Sequence, residues 1–216
     1  MAKSSDRPSP SETRSTRRTR ANGEQSRQRI LDAATEVATE RGYEGTTISL
    51  VSKKSGLPPT SIYWHFADKD DLIAAVIERS FARWLDALEL PSGQGARERA
   101  IELGTQVAKA LLDAPDFLRL GLMLALERRP VEPRAREMFL QVRDQAFGRF
   151  EAIVHDVAPR LDAQNVRMLT TYAIAGADGL FIAKEVGGDS VDLIKLLDFH
   201  ARVVFEAAVK LLEAEQ

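Results

Sequence analysis

The sequence predicts an all-α fold, with a small three-helix domain at the N-terminus and a larger helical bundle after it. Apolar residues recur at the three- and four-residue spacing of helices along most of the chain, and no segment alternates over the length of a strand. Prolines and glycines separate the successive helical segments. The chain has 216 residues, 44% of them hydrophobic, so it is long enough to bury a core.

The first 22 residues are rich in Ser, Pro, Thr and Arg and offer almost nothing to bury, so we expect a disordered arm. Glu12 is the only acidic residue in its basic stretch, which contains Arg14, Arg17, Arg18 and Arg20. A flexible basic arm of this kind can follow the phosphate backbone of a nucleic acid. A solvated tail accounts for the composition equally well.

Three helices are expected next. The first covers roughly residues 24–41 and ends at Gly42, because glycine is common just after a helix C-terminus. The second covers residues 47–54, with a threonine hydroxyl as its N-terminal cap, and the turn Ser55-Gly56-Leu57 follows it. The third begins at Pro58-Pro59, since proline suits the first helical position.

The third helix has an unusual outer surface. Ile62 and Phe66 are four residues apart and face inward together. The outer face and leading end then carry Pro59, Thr60, Ser61, Tyr63, Trp64 and His65. The ordinary alternative buries both aromatic side chains in a core, but the helix would then be apolar nearly all round while too short to lie at the centre of a domain. The pattern favours a helix-turn-helix whose second helix enters the major groove of DNA.

Residues 28–77 strongly resemble the N-terminal DNA-binding domain of the tetracycline-repressor (TetR/AcrR) family. The resemblance rests on the order Gly42-Tyr43-Glu44-Gly45-Thr46-Thr47, Ser55-Gly56, Tyr63-Trp64-His65-Phe66 and Lys69. It implies a transcriptional regulator, more often a repressor, that binds a palindromic operator as a homodimer and is released by a small, largely apolar effector. The DNA contacts that it implies are Thr47, Ser49, Pro59, Thr60, Ser61, Tyr63, Trp64, His65 and Lys69.

Charge and composition agree with this interpretation. Residues 1–69 contain 12 Lys and Arg against 8 Asp and Glu, whereas residues 70–216 contain 18 against 24. Such a distribution would orient the molecule on DNA. The absence of cysteine excludes disulfides and thiolate metal sites. No run reaches the ~18 apolar residues of a membrane span, and no signal-peptide core is present. We therefore expect a cytoplasmic protein without membrane contact.

A long helix is expected over residues 69–90, with Asp68 as its cap. Its apolar stripe is longer than the small domain can cover, and consists of Ile73, Val76, Ile77, Trp84, Leu85 and Leu88. We therefore divide the chain into the arm, residues 1–22, a DNA-binding domain, residues 23–70, and a ligand-binding and dimerisation domain, residues 71–216. The long helix links the last two domains.

Further helices are expected at about residues 96–113, 115–128, 133–157, 162–186 and 190–214. The second of these is apolar almost all round and should form the buried centre of the bundle. The resemblance places a ligand cavity among the middle helices, with candidate lining residues Trp84, Phe117, Met123, Phe147 and Tyr172. Ordinary core packing explains such residues as well.

Small residues near residue 176 would let another helix approach closely. The resemblance makes the last two helices a dimer surface, with candidate contacts Ala175, Gly179, Ile182, Val203 and Ala207. Packing within one chain is the alternative. Two-fold symmetry, however, is what places two DNA-reading helices about 34 Å apart, one turn of DNA.

Residues typical of catalysis are scattered. The histidines, His65, His155 and His200, lack metal-ligand spacing, and the chain has neither a serine elbow nor a phosphate-binding loop. We expect no enzyme activity, no cofactor and no metal. The rival hypothesis is an all-helical ligand-binding or enzyme domain whose first three helices are only a scaffold.

Overall fold

The computed structural model describes residues 10–88, 95–126 and 133–214. Within these ranges the chain forms α-helices and one short 3-10 helix, Gly188–Ser190, without a strand, so the all-α prediction is confirmed. The α-helices are α1 (Pro10–Gly45), α2 (Ile48–Ser55), α3 (Pro59–His65), α4 (Lys69–Asp86), α5 (Ala96–Asp113), α6 (Asp116–Leu126), α7 (Arg134–Val157), α8 (Ala163–Gly187) and α9 (Leu193–Ala214). They belong to two compact units, which divide between Val76 and Ile77.

The first unit is built around one face of α1. That face is apolar at helical spacing and buries Ile30, Leu31, Ala34, Val37 and Ala38. Regular helix geometry is interrupted at Gly42, whose φ of 69° lies in the left-handed region that glycine adopts without a steric cost. Helices α2 and α3 pack against α1 and against each other.

Helix α1 begins earlier than the sequence predicted. Residues 10–22, expected to be disordered, are helical from Pro10 onward, and residues 1–9 lie outside the described residues. The physical reason is that these residues extend a helix already nucleated and packed further along, so that only elongation is needed. No proline or glycine interrupts residues 11–22, and their arginines and alanine are good helix formers.

The end of α4 also differs from expectation. Helix α4 ends at Asp86 instead of residue 90: Leu88 N–H donates to the Leu85 carbonyl at 3.1 Å, a tighter turn than the α-helix, and residues 89 and 90 lie outside the described ranges. Pro91 follows in the sequence, and the residue before a proline disfavours helix. The expected end of α6 at residues 127–128 also lies outside the described ranges.

In the second unit, α5 and α8 pack against α9, and α7 packs against α6 and α8. Helix α6 is not the buried centre that its composition predicted, since Met123 and Leu126 are 48% and 77% exposed. Its buried face lies against α7 through Gly121, where an added Cβ would meet the Phe139 ring at 1.9 Å. The close packing of one face leaves the other face of this short helix uncovered.

Helices α8 and α9 approach each other closely at Gly176. A Cβ at this position would lie 2.2 Å from Cε1 of His200, and the His200 Nε2 is 2.9 Å from the Ala173 carbonyl oxygen. Apolar contacts near the ends of these helices form a buried cluster of Ala158, Leu161, Val166, Leu169 and Ala208. Within the described ranges, no helix combines the length and apolar character needed to cross a membrane.

Candidate nucleic-acid interface and ligand cavity

The turn between α2 and α3 is fixed by local hydrogen bonds. The Leu50 N–H donates to the Thr47 hydroxyl at 3.2 Å, which caps α2 as predicted. Gly56 ends α2 with a φ of 67° and donates to the Ser52 carbonyl at 3.0 Å. The Ser52 hydroxyl donates to the Leu57 carbonyl at 2.7 Å. These bonds fix the direction in which the chain enters α3.

Helix α3 is oriented by the two residues that were expected to face inward. Ile62 is fully buried and Phe66 is 3% exposed, and burial of each side chain contributes about 1.5–3 kcal/mol. Pro58 precedes the helix without a side-chain cap, and its carbonyl accepts a 2.9 Å hydrogen bond from the Ser61 N–H. The opposite face of α3 is therefore turned away from the core of its unit.

Large aromatic side chains occupy this outward face. Trp64 is 81% exposed and Tyr63 is 55% exposed, so the alternative in which both are buried is wrong. Pro59 and Thr60 are also exposed, as are Thr47 and Ser49 on α2, whereas Ser61 and His65 are half-buried. The Trp64 and His65 rings meet edge to face, with centroids 5.6 Å apart. Exposed aromatic clusters of this kind mark interaction surfaces.

Lys69, at the start of α4, is held by groups of its own unit. Its Nζ donates to the Tyr43 carbonyl at 3.3 Å, lies 3.6 Å from the Glu44 carboxylate and is 4.2 Å from the centroid of the Tyr43 ring. Asp68 caps α4 as predicted, because its carboxylate accepts the Asp71 N–H at 2.8 Å. A phosphate contact by Lys69 would have to be made beside, or in exchange for, Glu44.

Other basic residues near α2 were not singled out from the sequence. Lys53 is exposed in the last turn of α2. Lys54 pairs with Glu36 at 2.5 Å, and that hydrogen bond raises the pKa of Lys54. Arg29 Nη2 donates to the Ser55 carbonyl at 2.7 Å, which satisfies an orphan carbonyl at the end of α2. Spacing alone could not reveal this bond, since 26 residues separate its partners.

The second unit contains an apolar cavity of ≈ 140 Å³ lined by residues of α4, α5, α6, α7, α8 and α9, which we call the inner cavity. Most of its lining is aliphatic or aromatic, and the charged residues on its wall are Arg143 and Asp178. They form a bidentate pair, with Arg143 Nη1 3.0 Å and Nη2 2.5 Å from the two carboxylate oxygens. Burial raises the pKa of Asp178, and this outweighs the lowering by Arg143.

A second cavity of ≈ 390 Å³, the outer cavity, is lined by α4, α5 and α7. Its wall combines apolar residues with three charged ones, Arg99, Arg149 and Asp156. Arg99 Nη1 lies 2.7 Å from an oxygen of Asp156. The volume falls within the range of about 300–1,000 Å³ typical of small-molecule sites.

The sequence-based pocket residues are not all brought together. Trp84 and Phe117 line the inner cavity, with their rings tilted against each other and centroids 5.3 Å apart, whereas Met123, Phe147 and Tyr172 are absent from the lining of both cavities. Met123 and Tyr172 lie on exposed faces of α6 and α8, and the Arg167 guanidinium covers the Phe147 ring. Phe150, Arg143 and Asp178 could not be identified from the sequence, because an apolar pattern cannot tell which turn of a helix faces a cavity.

The candidate dimer residues lie mostly on the surface. Ala175, Gly179, Ile182 and Val203 are exposed and Ala207 is half-buried. On α8, exposed residues continue this row at alternating spacings of three and four: Met168, Tyr172, Ala175, Gly179, Ile182 and Val186. We call this row the α8 stripe. On α9, Phe199 and Val203 are exposed one turn apart.

The N-terminal part of the chain is similar in sequence to known proteins. Residues 30–76 match the sequence model of bacterial regulatory proteins of the tetR family. The chain is 39% identical over 61 residues to the HTH-type transcriptional regulator SrpR of Pseudomonas putida and 36% identical over 64 residues to AcrR of Shigella flexneri. These matches cover 28% and 30% of this chain, and 29% and 30% of the relatives.

Similarity over the whole fold is seen among solved structures. The fatty acid degradation regulator FadR from Bacillus halodurans has a TM-score of 0.69 at 17% identity, covering 83% of this chain and 94% of that one. FadR from Bacillus subtilis, solved in complex with stearoyl-CoA, has a TM-score of 0.68 at 19% identity, covering 82% of this chain and 97% of that one. At these identities the similarity concerns the fold.

Proposed function

We propose that the chain is a ligand-responsive transcriptional repressor of the tetR family, since residues 30–76 match that family's sequence model and AcrR of Shigella flexneri is 36% identical over 64 residues. In this proposal a homodimer binds a palindromic operator in the cytoplasm and is released by a small, largely apolar effector. The observation that carries the proposal is the exposed aromatic face of α3, with Trp64 81% exposed on a helix anchored by buried Ile62.

The outward face of α3 suits a DNA groove. Thr60 and Ser61 can donate to phosphate or base oxygens, and Tyr63 and Trp64 add ring donors and apolar contact. Pro59, Thr60 and Ser61 lack a bidentate base-reading group such as that of Arg, Asn or Gln. We therefore propose that thymine methyl contacts, bridging waters and DNA shape supply much of the specificity.

The effector part of the proposal rests on the cavities of the second unit. The inner cavity is largely apolar, and Trp84 and Phe117 on its wall belong to an aromatic cluster that also includes Phe81 and Phe150. The stearoyl-CoA complex of the B. subtilis protein supports ligand binding in this fold. Helix α4 is the proposed link to the operator, since the division between the two units falls within it.

A mobility-shift assay on DNA from upstream of the protein's own gene tests the proposal. We expect specific binding at moderate salt, and we expect Trp64→Ala to weaken it at least tenfold, about 1.4 kcal/mol, because the exposed ring would be buried against DNA. Leu126→Ala is the matched control, since Leu126 is 77% exposed on α6 and apolar. It should leave operator affinity unchanged.

Two outcomes would contradict the proposal. Binding that is non-specific and lost steeply with salt would favour the rival hypothesis of an all-helical domain with an N-terminal scaffold. Equal operator affinity of Trp64→Ala and the unaltered protein would exclude the outward face of α3 as the contact surface.

A further inference from the structure

The inner and outer cavities share one wall. Six residues line both of them: Trp84, Leu103, Ala146, Phe150, Ile153 and Val157. A ligand that displaces the Trp84 or Phe150 ring slightly could therefore occupy both spaces. The two cavities are best treated as two compartments of a single elongated site.

The two compartments differ in chemistry. The inner cavity, at ≈ 140 Å³, is close to the size of apolar cavities that admit a benzene-sized group. Its charges, on Arg143 and Asp178, already satisfy each other through two hydrogen bonds. The inner compartment therefore offers apolar contact and little attraction for a charged group.

The outer compartment has a positive balance of charge. Arg99 and Arg149 line it together with one acid, Asp156. Asp156 accepts a hydrogen bond from Nη1 of Arg99, so it neutralises one of the two arginines. Arginine is permanently charged and suits planar oxyanions such as carboxylate.

The wall of the outer compartment also carries two buried N–H donors. Neither Trp84 Nε1 nor Arg99 Nε has a hydrogen-bond partner among the described residues, and Trp84 is only 4% exposed. Buried N–H groups without an acceptor are rare, because burial removes their bonds to water. An acceptor oxygen on a ligand that entered the compartment could satisfy these donors.

From these observations we propose that the site binds an amphipathic organic acid, with the end of its apolar tail in the inner cavity and its anionic head in the outer cavity, held by Arg149, Arg99 and the Trp84 indole N–H. The inference rests on the proposed function only in treating this site as the effector site. It adds the charge of the effector and the residues that recognise it.

The test compares three molecules with the same tail: decanoate, decan-1-ol and decylamine, each titrated below its micellar concentration into the full-length protein by calorimetry. We expect decanoate to bind at least tenfold more tightly than decan-1-ol, and decylamine to bind most weakly. A single-tryptophan variant, Trp64→Phe, locates the site, because Trp84 is then the only tryptophan. Its fluorescence should change on decanoate binding.

Arg99→Ala should lower decanoate affinity about tenfold and leave decan-1-ol affinity unchanged, which also shows that the apolar compartment is intact. Arg97→Ala is the matched control: Arg97 lies on the same helix, forms an exposed pair with Glu206 at 3.6 Å and lines neither cavity. It should leave the affinities for both molecules unchanged.

The proposal is overturned if decan-1-ol or decylamine binds as tightly as decanoate, if Trp84 fluorescence does not respond, or if Arg99→Ala lowers the affinities for acid and alcohol equally. These measurements need no DNA. Decanoate that binds as expected but does not release operator DNA would contradict the proposed effector role alone. Operator binding with no decanoate binding would contradict this inference alone.

Discussion

Two glycines in the second unit differ in the space available for an added methyl group. Gly121 lies in α6 where a Cβ would be 1.9 Å from the Phe139 ring, a fully packed side chain. Gly148 lies in α7, and a Cβ there would meet no described atom within 4 Å. The first glycine is needed for helix packing, whereas the second only makes its helix more flexible.

We therefore predict opposite changes in stability for two equivalent substitutions. Gly121→Ala should lower the free energy of unfolding by about 1–3 kcal/mol, because Phe139 must move out of a dense core. Gly148→Ala should raise it by about 0.5–1 kcal/mol through helix propensity. Urea denaturation followed by circular dichroism measures both. Equal effects of the two substitutions would contradict the close packing of α6 on α7.

At the scale of the secondary-structure elements, the α8 stripe is an exposed apolar row, and its proposed role as a dimer surface can be tested. Its row of apolar and small side chains would let a two-fold related helix pack closely. We expect Ile182→Glu to convert a dimer to a monomer, because a carboxylate in the centre of an apolar interface loses its hydration. Gln145→Glu, at an exposed position of α7, is the control for added charge.

Analytical ultracentrifugation at several protein concentrations distinguishes the two outcomes. The unaltered protein and Gln145→Glu should sediment as dimers, and Ile182→Glu as a monomer. A dimeric Ile182→Glu variant would mean that the α8 stripe lies outside the interface.

The sequence predicted the positions of the helices better than it predicted which side chains they bury and which segments they contact. Capping residues and turn glycines are local signals, so Thr47 and Gly56 placed both ends of α2 correctly and Asp68 placed the start of α4. The start of α1 was missed because composition alone underestimates how far a packed helix can extend. Exposure of Met123 and the bond from Arg29 to Ser55 depend on contacts between distant segments, which periodicity does not encode.

In the candidate sites, too, local patterns could be predicted from the sequence, whereas contacts between helices could not. The outward side chains of α3 could be identified because Ile62 and Phe66 fix which face is inward. The cavity residues Arg143 and Asp178 could not, since they are 35 residues apart and polar residues at helical spacing normally face solvent. A pattern within one helix cannot specify its partner helix.

At the scale of the whole molecule, the proposed regulation requires that a ligand in the second unit alter DNA binding by the first. Helix α4 is the covalent element in which the division between the units falls, and Glu78 lies on its exposed side two residues after that division. A glycine at this position would lower the stability of the helix by about 1 kcal/mol. It would leave the residues of the DNA-binding face and of the two cavities unchanged. Coupling between sites is a free energy that such a loss of helix stability would reduce.

We predict that Glu78→Gly binds operator and decanoate with affinities within twofold of the unaltered protein but needs a higher decanoate concentration for half-release of DNA. Glu78→Ala, which removes the same carboxylate and keeps the helix stiff, should be released normally. A mobility-shift titration with decanoate measures both. Identical release curves for the two variants would argue against α4 as the link.

The contact between Gly176 and the His200 ring has a consequence for the proposed dimer surface. The α8 stripe and the exposed residues of α9 are held in register by this contact inside one subunit. A single methyl group at position 176 would wedge the two helices apart and misalign both surface rows. In the proposed homodimer, a substitution outside the interface would therefore be enough to weaken association.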